Sequence, residues 1–244
     1  MRSIWLGYDP READGYAVAR ASIRRHAKAP YLIMPVNLAV ARRAGLYRRP
    51  TSRRDGRLWD DISEAPMATE FAIARFLVPH LAGRGWALFA DCDVLARTDI
   101  GQLFSLADDR YAVMCVKHDQ RPVEDTKMNG QLQAKEVDPR FPGVYSRKNW
   151  SSVVLYNCEH PANSALTVDL INTVPGRDLH RFCWLDDDLI GELPVEWNWL
   201  AGVSPIVDDP AIVHFTLGMP SLPGCEYMLY SDEWRSELSR WLGS

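Results

Sequence analysis

Two aspartates separated by a single residue stand where the sequence could bind a metal ion. Asp91 and Asp93 directly follow the apolar run 86–90, which has the length and composition of a buried strand. Ligands of open α/β sheets bind beyond the carboxyl ends of the strands, and two carboxylates placed there can share one oxygen-preferring cation. The alternative is an ordinary turn that ends the strand. Because an Asp-x-Asp pattern alone says little, the interpretation depends on the strand before it.

A histidine and an acidic cluster offer further chemistry. His214 lies in the apolar run 211–215. A neutral imidazole could complete a site with two carboxylates, although a lone histidine on a strand is more often a core residue. Asp186, Asp187 and Asp188 are consecutive and could attract a cation, a sugar hydroxyl or a basic partner. The alternative for them is the acidic first turn of a helix, which the helix dipole favours.

Three more side chains are candidates for binding a ligand at the same edge of the sheet. Tyr8 and Asp9 end the first apolar run, so they would lie beside the aspartates of a parallel neighbour. Asp9-Pro10 is either a nucleoside contact or a simple turn. Arg75 is the cationic residue of an apolar helical run. It could bind phosphate or a base carbonyl with its planar fork, or be a solvated charge.

The elements that would position these residues alternate between strand and helix. The spacing predicts a strand over 3–8, a helix over 12–26 and a strand over 31–36, which is a parallel βαβ unit. Further strands are predicted at 86–90, 111–116, 153–156 and 211–215, and helices at 63–83, 161–172 and 232–242. The sequence is therefore of the α/β class. Residues 117–150 show no periodicity, and such long irregular segments are usually functional loops.

The composition and the absence of two nucleotide-binding motifs argue against several classes of protein. The net charge of −4 argues against general nucleic-acid binding. No G-x-G-x-x-G follows the first strand and no G-x-x-x-x-G-K-[ST] occurs, which weighs against dinucleotide enzymes and removes the P-loop NTPases. The basic stretch 42–57 is either a solvated surface or a contact for an anionic acceptor or membrane, so peripheral membrane contact stays open.

The cysteine pattern and the apolar runs bear on the compartment. The 5 cysteines are scattered without C-x-x-C spacing, which favours a reducing compartment over a disulfide framework. We see no signal peptide and no apolar run near the roughly 20 residues that span a bilayer. The predicted location is the cytoplasm. The 244 residues, 47% of them hydrophobic, fit one domain over residues 1–244.

Several of these motifs occur in the order that is typical of glycosyltransferase family 8, and the chain resembles that family from about residue 4 to residue 218. In this sequence the motifs are Arg75 in a helical run, Asp91 with Asp93, the strand 151–157 that ends in Asn157, the acidic cluster 186–188, Leu193-Pro194 with Asn198, and His214 with Gly218. The sequence departs from the family at Asp187, where the family has Gln, and at Met219-Pro220, where the family supplies a lysine for the diphosphate.

The resemblance implies a GT-A fold, a Rossmann-like, mostly parallel twisted sheet flanked by helices. It also implies transfer of a hexose from a UDP-sugar, with retention of the anomeric configuration, to a carbohydrate, lipid-linked or protein acceptor. Mn²⁺ or Mg²⁺ would be held by Asp91, Asp93 and His214.

The resemblance also assigns roles to the other candidates. The nucleotide-sugar contacts would be Tyr8, Asp9, Arg75, Asp91 and Gly218. Asp187 or Asp188 would be the catalytic group beneath the anomeric carbon. Two other functions stay open. One is a nucleotidyltransferase or metal-dependent phosphohydrolase that uses the same aspartates, and the other is a non-catalytic GT-A-like carbohydrate-binding protein.

Overall fold

The computed structural model describes residues 2–118 and 147–243. Most of the irregular segment predicted over 117–150 lies outside the described residues. The strands are β1 (Arg2–Tyr8), β2 (Leu32–Asn37), β3 (Thr51–Arg54), β4 (Arg57–Asp60), β5 (Ala65–Pro66), β6 (Trp86–Ala90), β7 (Val94–Ala96), β8 (Val113–Cys115), β9 (Val153–Asn157), β10 (Ile190–Glu192), β11 (Trp199–Leu200) and β12 (Ile212–His214). The α-helices are α1 (Ala13–His26), α2 (Leu38–Arg43), α3 (Val78–Ala82), α4 (Ile100–Ser105), α5 (Val168–Thr173), α6 (Gly176–His180) and α7 (Ser231–Leu242).

A six-stranded, mostly parallel sheet with the strand order β10-β8-β9-β6-β1-β2 forms the centre of the fold. β1 pairs in parallel with β2 and with β6, as the predicted βαβ unit requires. β9 is antiparallel to both of its neighbours, β6 and β8. The prediction of an α/β fold with a mostly parallel sheet is confirmed. The carboxyl ends of β1 and β6 and the amino end of β9 therefore lie at one edge, which we call the carboxyl edge.

Both faces of this sheet are buried at its central strands β1, β6 and β9, which explains their continuous apolar runs. Successive side chains of β6 alternate between two core clusters, with Ala87 and Phe89 in one and Leu88 and Ala90 in the other. The strand ends where the sequence becomes acidic, because carboxylates at the carboxyl edge avoid both clusters. The apolar run thus fixes where the aspartates emerge.

A smaller sheet, β11-β12-β7, continues from the acidic turn. β12 is antiparallel to β7 and parallel to β11, and its register places His214 opposite Val94. The backbone N–H of Phe215 donates to the C=O of Asp93 over 2.9 Å. This pairing places β12, which contains His214, next to the turn that follows β6.

The long helix predicted over 63–83 is wrong. This segment contains β5, a 3₁₀ turn over Ala74–Leu77 and the short helix α3. Ser63 does not cap a helix. Its N–H donates to Asp60 over 2.9 Å instead, and Glu64 adopts a positive φ of 49°. Pro79 lacks the N–H that a continuous helix would need, so α3 starts beside it.

The helix predicted over 161–172 is also shorter in the structure. A 3₁₀ turn covers Pro161–Ala165, and α5 begins only at Val168, where the Thr167 side chain caps it. The terminal helix predicted over 232–242 is confirmed as α7. Within the described residues, no helix has the length and apolar character needed to cross a membrane.

The basic stretch 42–57 contributes to a third sheet, β3-β4-β5. Arg53 and Arg57 are exposed on its hairpin, as the prediction of a solvated surface requires. Arg49 does not fit that prediction. Its side chain is fully buried against Asp60 of β4, with exposed fractions of 0% and 2%.

Candidate metal centre and active site

Asp91, Asp93 and His214 meet at the carboxyl edge of the central sheet. One potential ligand atom from each lies within 4.8 Å of the others, and this is the one group of three or more His, Cys, Asp or Glu side chains with such geometry in residues 2–118 and 147–243. His214 Nε2 is 3.2 Å from Asp93 Oδ1. β6 supplies the aspartates, and the pairing of β12 with β7 supplies the histidine. The structure therefore brings together the three predicted metal ligands.

Asp91 is positioned by a backbone hydrogen bond and by an ion pair with Arg75. Its N–H donates to the C=O of Ser152 over 2.9 Å, and Arg75 Nη1 forms an ion pair with its Oδ1 over 2.9 Å. This contact lacks hydrogen-bond geometry, so Asp91 Oδ1 has no hydrogen-bond donor among the described residues. Burial raises the pKa of the Asp91 carboxyl to about 7; Arg75 opposes the shift and Asp93 adds to it.

His214 is oriented by a buried amide. Its Nδ1 lies 2.9 Å from Asn198 Oδ1, and its Nε2 lies on the side of Asp93. Burial disfavours the imidazolium, but the charge and hydrogen bond of Asp93 outweigh burial and raise the pKa of His214 above its ordinary value. The imidazole and the carboxylates are thus in electrostatic contact across the site.

These residues fit a divalent cation. Two carboxylate oxygens and one imidazole nitrogen form a donor set that suits Mn²⁺ and related ions. The Asp91 and Asp93 carboxylates disfavour each other's ionised form, and Arg75 compensates that effect only in part. Asp91 Oδ1 accepts no hydrogen bond among the described residues, and a cation would satisfy it and balance the excess of negative charge. The cluster could therefore hold a metal ion.

Arg75 lies behind Asp91 and is buried. Its Nε donates to the C=O of Ala72 over 3.0 Å and its Nη1 to the C=O of Ser151 over 2.9 Å. The guanidinium also lies 4.9 Å from the ring centroid of Phe89, a cation–π contact. Arg75 is thus at the carboxyl edge, as predicted. Its contact with a nucleotide-sugar stays a prediction.

Tyr8 and Asp9 lie at the end of β1, beside the end of β6. The buried Asp9 carboxylate accepts hydrogen bonds from the N–H, Nε and Nη2 of Arg11 over 2.9, 3.0 and 2.6 Å, and from the N–H of Glu70 over 2.9 Å. Burial raises the pKa of Asp9, but these bonds lower it overall. Tyr8 packs edge-on against Tyr16 at 5.2 Å between ring centroids. The contacts of Asp9 are those expected for the turn alternative, and a nucleotide contact stays a prediction for both.

Asp187 and Asp188 are not part of the cluster. They are exposed in a 3₁₀ turn that directly precedes β10, so the alternative of an acidic first turn describes their local structure. Asp187 pairs with Arg147. Their catalytic role stays a prediction.

Gly218 lies four residues beyond His214 and has a positive φ of 137°. A Cβ atom at this position would lie 2.6 Å from Cys225 Sγ, so the backbone requires glycine here. Its N–H donates to the C=O of Phe215 over 2.8 Å. Its contact with a diphosphate is not tested by these bonds and stays a prediction.

Sequence reasoning missed three titratable neighbours of the site. Cys92 Sγ donates to the Glu12 carboxylate over 3.1 Å, and burial raises the pKa of Glu12. Burial, reinforced by His214, lowers the pKa of His118 to about 4, and burial with Arg75 lowers that of His180 to about 3. Glu12 follows the end of β1 closely, so the shared edge could have suggested it. No sequence signal identifies His180.

Comparisons with known proteins add a relative and a fold. No protein-family model matches the sequence. A curated relative, Protein CDI of Arabidopsis thaliana, is 41% identical over 244 residues, covering 98% of this chain and 86% of the relative.

Among solved structures, galactosyltransferase LgtC, in complex with donor and acceptor sugar analogs, aligns with a TM-score of 0.60 and 15% identity over 98% of this chain and 96% of LgtC. The bifunctional glycosyltransferase WbbM aligns with a TM-score of 0.56 and 15% identity over 97% of this chain; the chain spans 49% of the length of WbbM. The predicted GT-A fold is confirmed by these likenesses, whereas membership of glycosyltransferase family 8 stays a prediction. At 41% identity over nearly its whole length, the chain belongs to the same family as Protein CDI.

Proposed function

We propose that this protein is a metal-dependent glycosyltransferase that moves a hexose from a UDP-sugar to a carbohydrate, lipid-linked or protein acceptor. The observation that carries the proposal is the cluster of Asp91, Asp93 and His214 at the carboxyl edge of a GT-A fold. Ligands of open α/β sheets bind at this edge. The structurally similar LgtC is described as a galactosyltransferase with donor and acceptor analogs bound, which supports the proposal by analogy of fold.

The charges of the site require a cation before a nucleotide diphosphate can bind. Two adjacent carboxylates would repel the diphosphate, and the charge of Arg75, which forms an ion pair with Asp91, offsets that repulsion only in part. Asp91, Asp93 and His214 would hold Mn²⁺ or Mg²⁺ between themselves and the diphosphate. When bound, the cation supplies neutralisation of the leaving nucleoside diphosphate, a Lewis-acid role.

The remaining assignments are proposals of the same kind. Tyr8, Asp9, Arg75 and Gly218 are assigned to the nucleotide-sugar. Asp187 or Asp188 is assigned to the sugar, with transfer by retention. Support for these roles is the order of the motifs. We also propose a cytoplasmic location, because all five cysteines are free and free thiols persist in reducing compartments.

A matrix of nucleotides and cations tests the proposal. UDP, GDP, CDP and UDP-hexoses are each combined with Mn²⁺, Mg²⁺ or EDTA, and thermal unfolding is recorded. We expect UDP and Mn²⁺ together to stabilise the protein more than the sum of their separate effects. A ligand at about 100 times its Kd adds about 2.7 kcal/mol to the free energy of unfolding. UDP released from the UDP-hexose that stabilises most then reports turnover, and NMR of the product reports its anomeric configuration.

The outcomes separate the alternative functions. Release of pyrophosphate or inorganic phosphate instead of UDP would indicate a nucleotidyltransferase or phosphohydrolase. Sugar binding that is equal in EDTA and Mn²⁺, with no turnover, would indicate a carbohydrate-binding protein. UDP binding that is unaffected by EDTA would exclude the proposed role of the metal.

A further inference from the structure

We propose that Asn198 is a positioning residue that fixes the tautomer of His214 and thereby presents its Nε2 lone pair to the metal ion; this inference rests on the proposed function. Asn198 is fully buried at the end of the 3₁₀ turn Val195–Asn198, directly before β11. Its side-chain amide is the second partner of the His214 ring, on the side opposite Asp93.

The hydrogen bonds around Asn198 determine which way its amide faces. Ser152 Oγ donates to the C=O of Asn149 over 2.7 Å. Because the hydroxyl proton is used there, Ser152 Oγ accepts from Asn198 Nδ2 over 2.9 Å. Asn198 Nδ2 also donates to the C=O of Asn149 over 3.3 Å, and a carbonyl can only accept. The amide nitrogen must therefore point toward Ser152 and Asn149.

The amide orientation then determines the imidazole. Asn198 Oδ1, which can only accept, faces His214 Nδ1 at 2.9 Å. His214 Nδ1 therefore carries a proton, and the neutral ring has its lone pair on Nε2. The hydrogen bond made by one ring nitrogen decides which nitrogen can bind a metal. With the other tautomer, Nε2 would present a proton to the site.

Ser152 links this arrangement to a second metal ligand. Its C=O accepts the N–H of Asp91 over 2.9 Å, while its side chain orients Asn198. Ser152 and Asn198 are both buried, so neither group exchanges its partners with water. One residue before β9 thus positions the backbone of Asp91 and, through Asn198, the ring of His214.

Cation binding by matched asparagine variants tests the proposal. Asn198→Leu removes the acceptor, and Asn198→Asp keeps an acceptor for His214 Nδ1. Asn163→Leu is the control, because Asn163 is another buried asparagine, with Nδ2 donating to the C=O of Ala112 and Asn157 over 2.8 and 2.7 Å. Mn²⁺ alone is titrated into each folded variant by calorimetry. We expect Asn198→Leu to weaken Mn²⁺ binding about 10- to 100-fold, Asn198→Asp to weaken it less, and Asn163→Leu to leave it within about twofold of the unaltered protein.

A second readout needs no metal and no variant of Asn198. The ¹⁵N shifts of the histidine rings are recorded in the metal-free protein at alkaline pH, and His214 is assigned from the spectrum of His214→Ala. We expect Nδ1 to be the protonated nitrogen. A protonated Nε2 would overturn the proposal even if Asn198→Leu does not fold.

The results distinguish this inference from the proposed function. If the unaltered protein binds Mn²⁺ and Asn198→Leu binds it equally well, the positioning role is overturned and the metal-dependent function stands. If the unaltered protein binds Mn²⁺ only when UDP is present, the variants are compared with UDP present; if it binds Mn²⁺ in neither condition, both are overturned.

Discussion

Two ion pairs, each between a buried arginine and an aspartate, are used in opposite ways. In the first, Arg49 Nε and Nη2 bind the two carboxylate oxygens of Asp60 over 2.9 and 2.5 Å. Arg49 Nη1 donates to the C=O of Ile171 and Val174, each over 2.7 Å. Burial raises the pKa of Asp60, but the bonds from Arg49 and Ser63 lower it overall. Every group in this pair has a partner.

The second pair, Arg75 and Asp91, is incomplete. One nitrogen contacts one carboxylate oxygen, and the nearby carboxylates of Asp93 and Glu12 raise the pKa of Asp91 further. The Arg49–Asp60 pair therefore cross-links two parts of the chain. The Arg75–Asp91 pair, made of the same residue types, leaves an excess of negative charge. A buried pair that is satisfied indicates structure, whereas one that needs a further cation indicates a binding site.

The largest effect should come from removing either carboxylate of the site. We expect Asp91→Asn and Asp93→Asn each to lower UDP release from a UDP-hexose about 10⁴-fold. That factor corresponds to about 5.4 kcal/mol, in the range of several kcal/mol that a metal supplies. Asp232→Asn is the control, because that side chain is 98% exposed.

The stability of the same variants sharpens the comparison. In EDTA, Asp91→Asn should not lower the free energy of unfolding, because burial and the charge of Asp93 disfavour the Asp91 carboxylate more than its ion pair with Arg75 favours it. A rate within tenfold of the unaltered protein, or a clear loss of stability, would make Asp91 an ordinary structural residue like Asp60.

The next largest effect is expected on the free energy of unfolding when the Arg49–Asp60 pair is broken. Arg49→Met leaves Asp60 buried without its cation and should cost about 3–5 kcal/mol in the free energy of unfolding. Arg48→Met is the matched control. The Arg48 side chain is 51% exposed where it pairs with Asp169, and such surface pairs contribute at most about 1 kcal/mol. Urea titrations measure both, and equal losses would contradict the structural role of Arg49.

A smaller effect is expected when His214, the third predicted metal ligand beside Asp91 and Asp93, is replaced. His214→Ala should weaken Mn²⁺ binding about 100-fold, which corresponds to about 2.7 kcal/mol. The same change should cost about 1–3 kcal/mol in stability, as core losses do. His80→Ala, which removes an exposed histidine bonded to the C=O of Leu166, is the control. Unchanged Mn²⁺ affinity with a clear loss of stability would make His214 a core residue.

The two pairs also show how far sequence reasoning reaches. The strands β1 and β6 could be predicted because their apolar runs are continuous and are followed directly by aspartates, and β2 because a short apolar run follows the first helix. The prediction of a helix over 63–83 was wrong because Ser63 hydrogen-bonds to Asp60 instead of capping a helix. Hydrophobic periodicity carries no information about such a contact. Arg49 lies in a run of arginines, and nothing local distinguishes it from its exposed neighbours.

In the candidate site, too, some residues could be predicted from the sequence and others could not. Asp91 and Asp93 could be predicted from the strand before them. His214 was placed with them only by the order of motifs, because no local pattern shows that β12 pairs with β7 across more than 110 residues. Asn198 has no signal for its hydrogen bond to His214, since that bond depends on where β11 lies beside β12.

The smallest predicted effect is a pH dependence at Asp60. The pKa of Asp60 in the folded protein is below the ordinary value of about 3.9 for an aspartate. A group of this kind stabilises the protein fully above its unfolded pKa, and that contribution is lost as the pH falls through the folded pKa. The difference in the free energy of unfolding between the unaltered protein and Asp60→Asn should therefore be constant from about pH 7 to about pH 5 and shrink below about pH 4. Urea titrations at several pH values measure this difference, with Asp232→Asn as the exposed control. A difference that grows as the pH falls would mean that the folded protein favours protonated Asp60, and the contrast with Asp91 would then be lost.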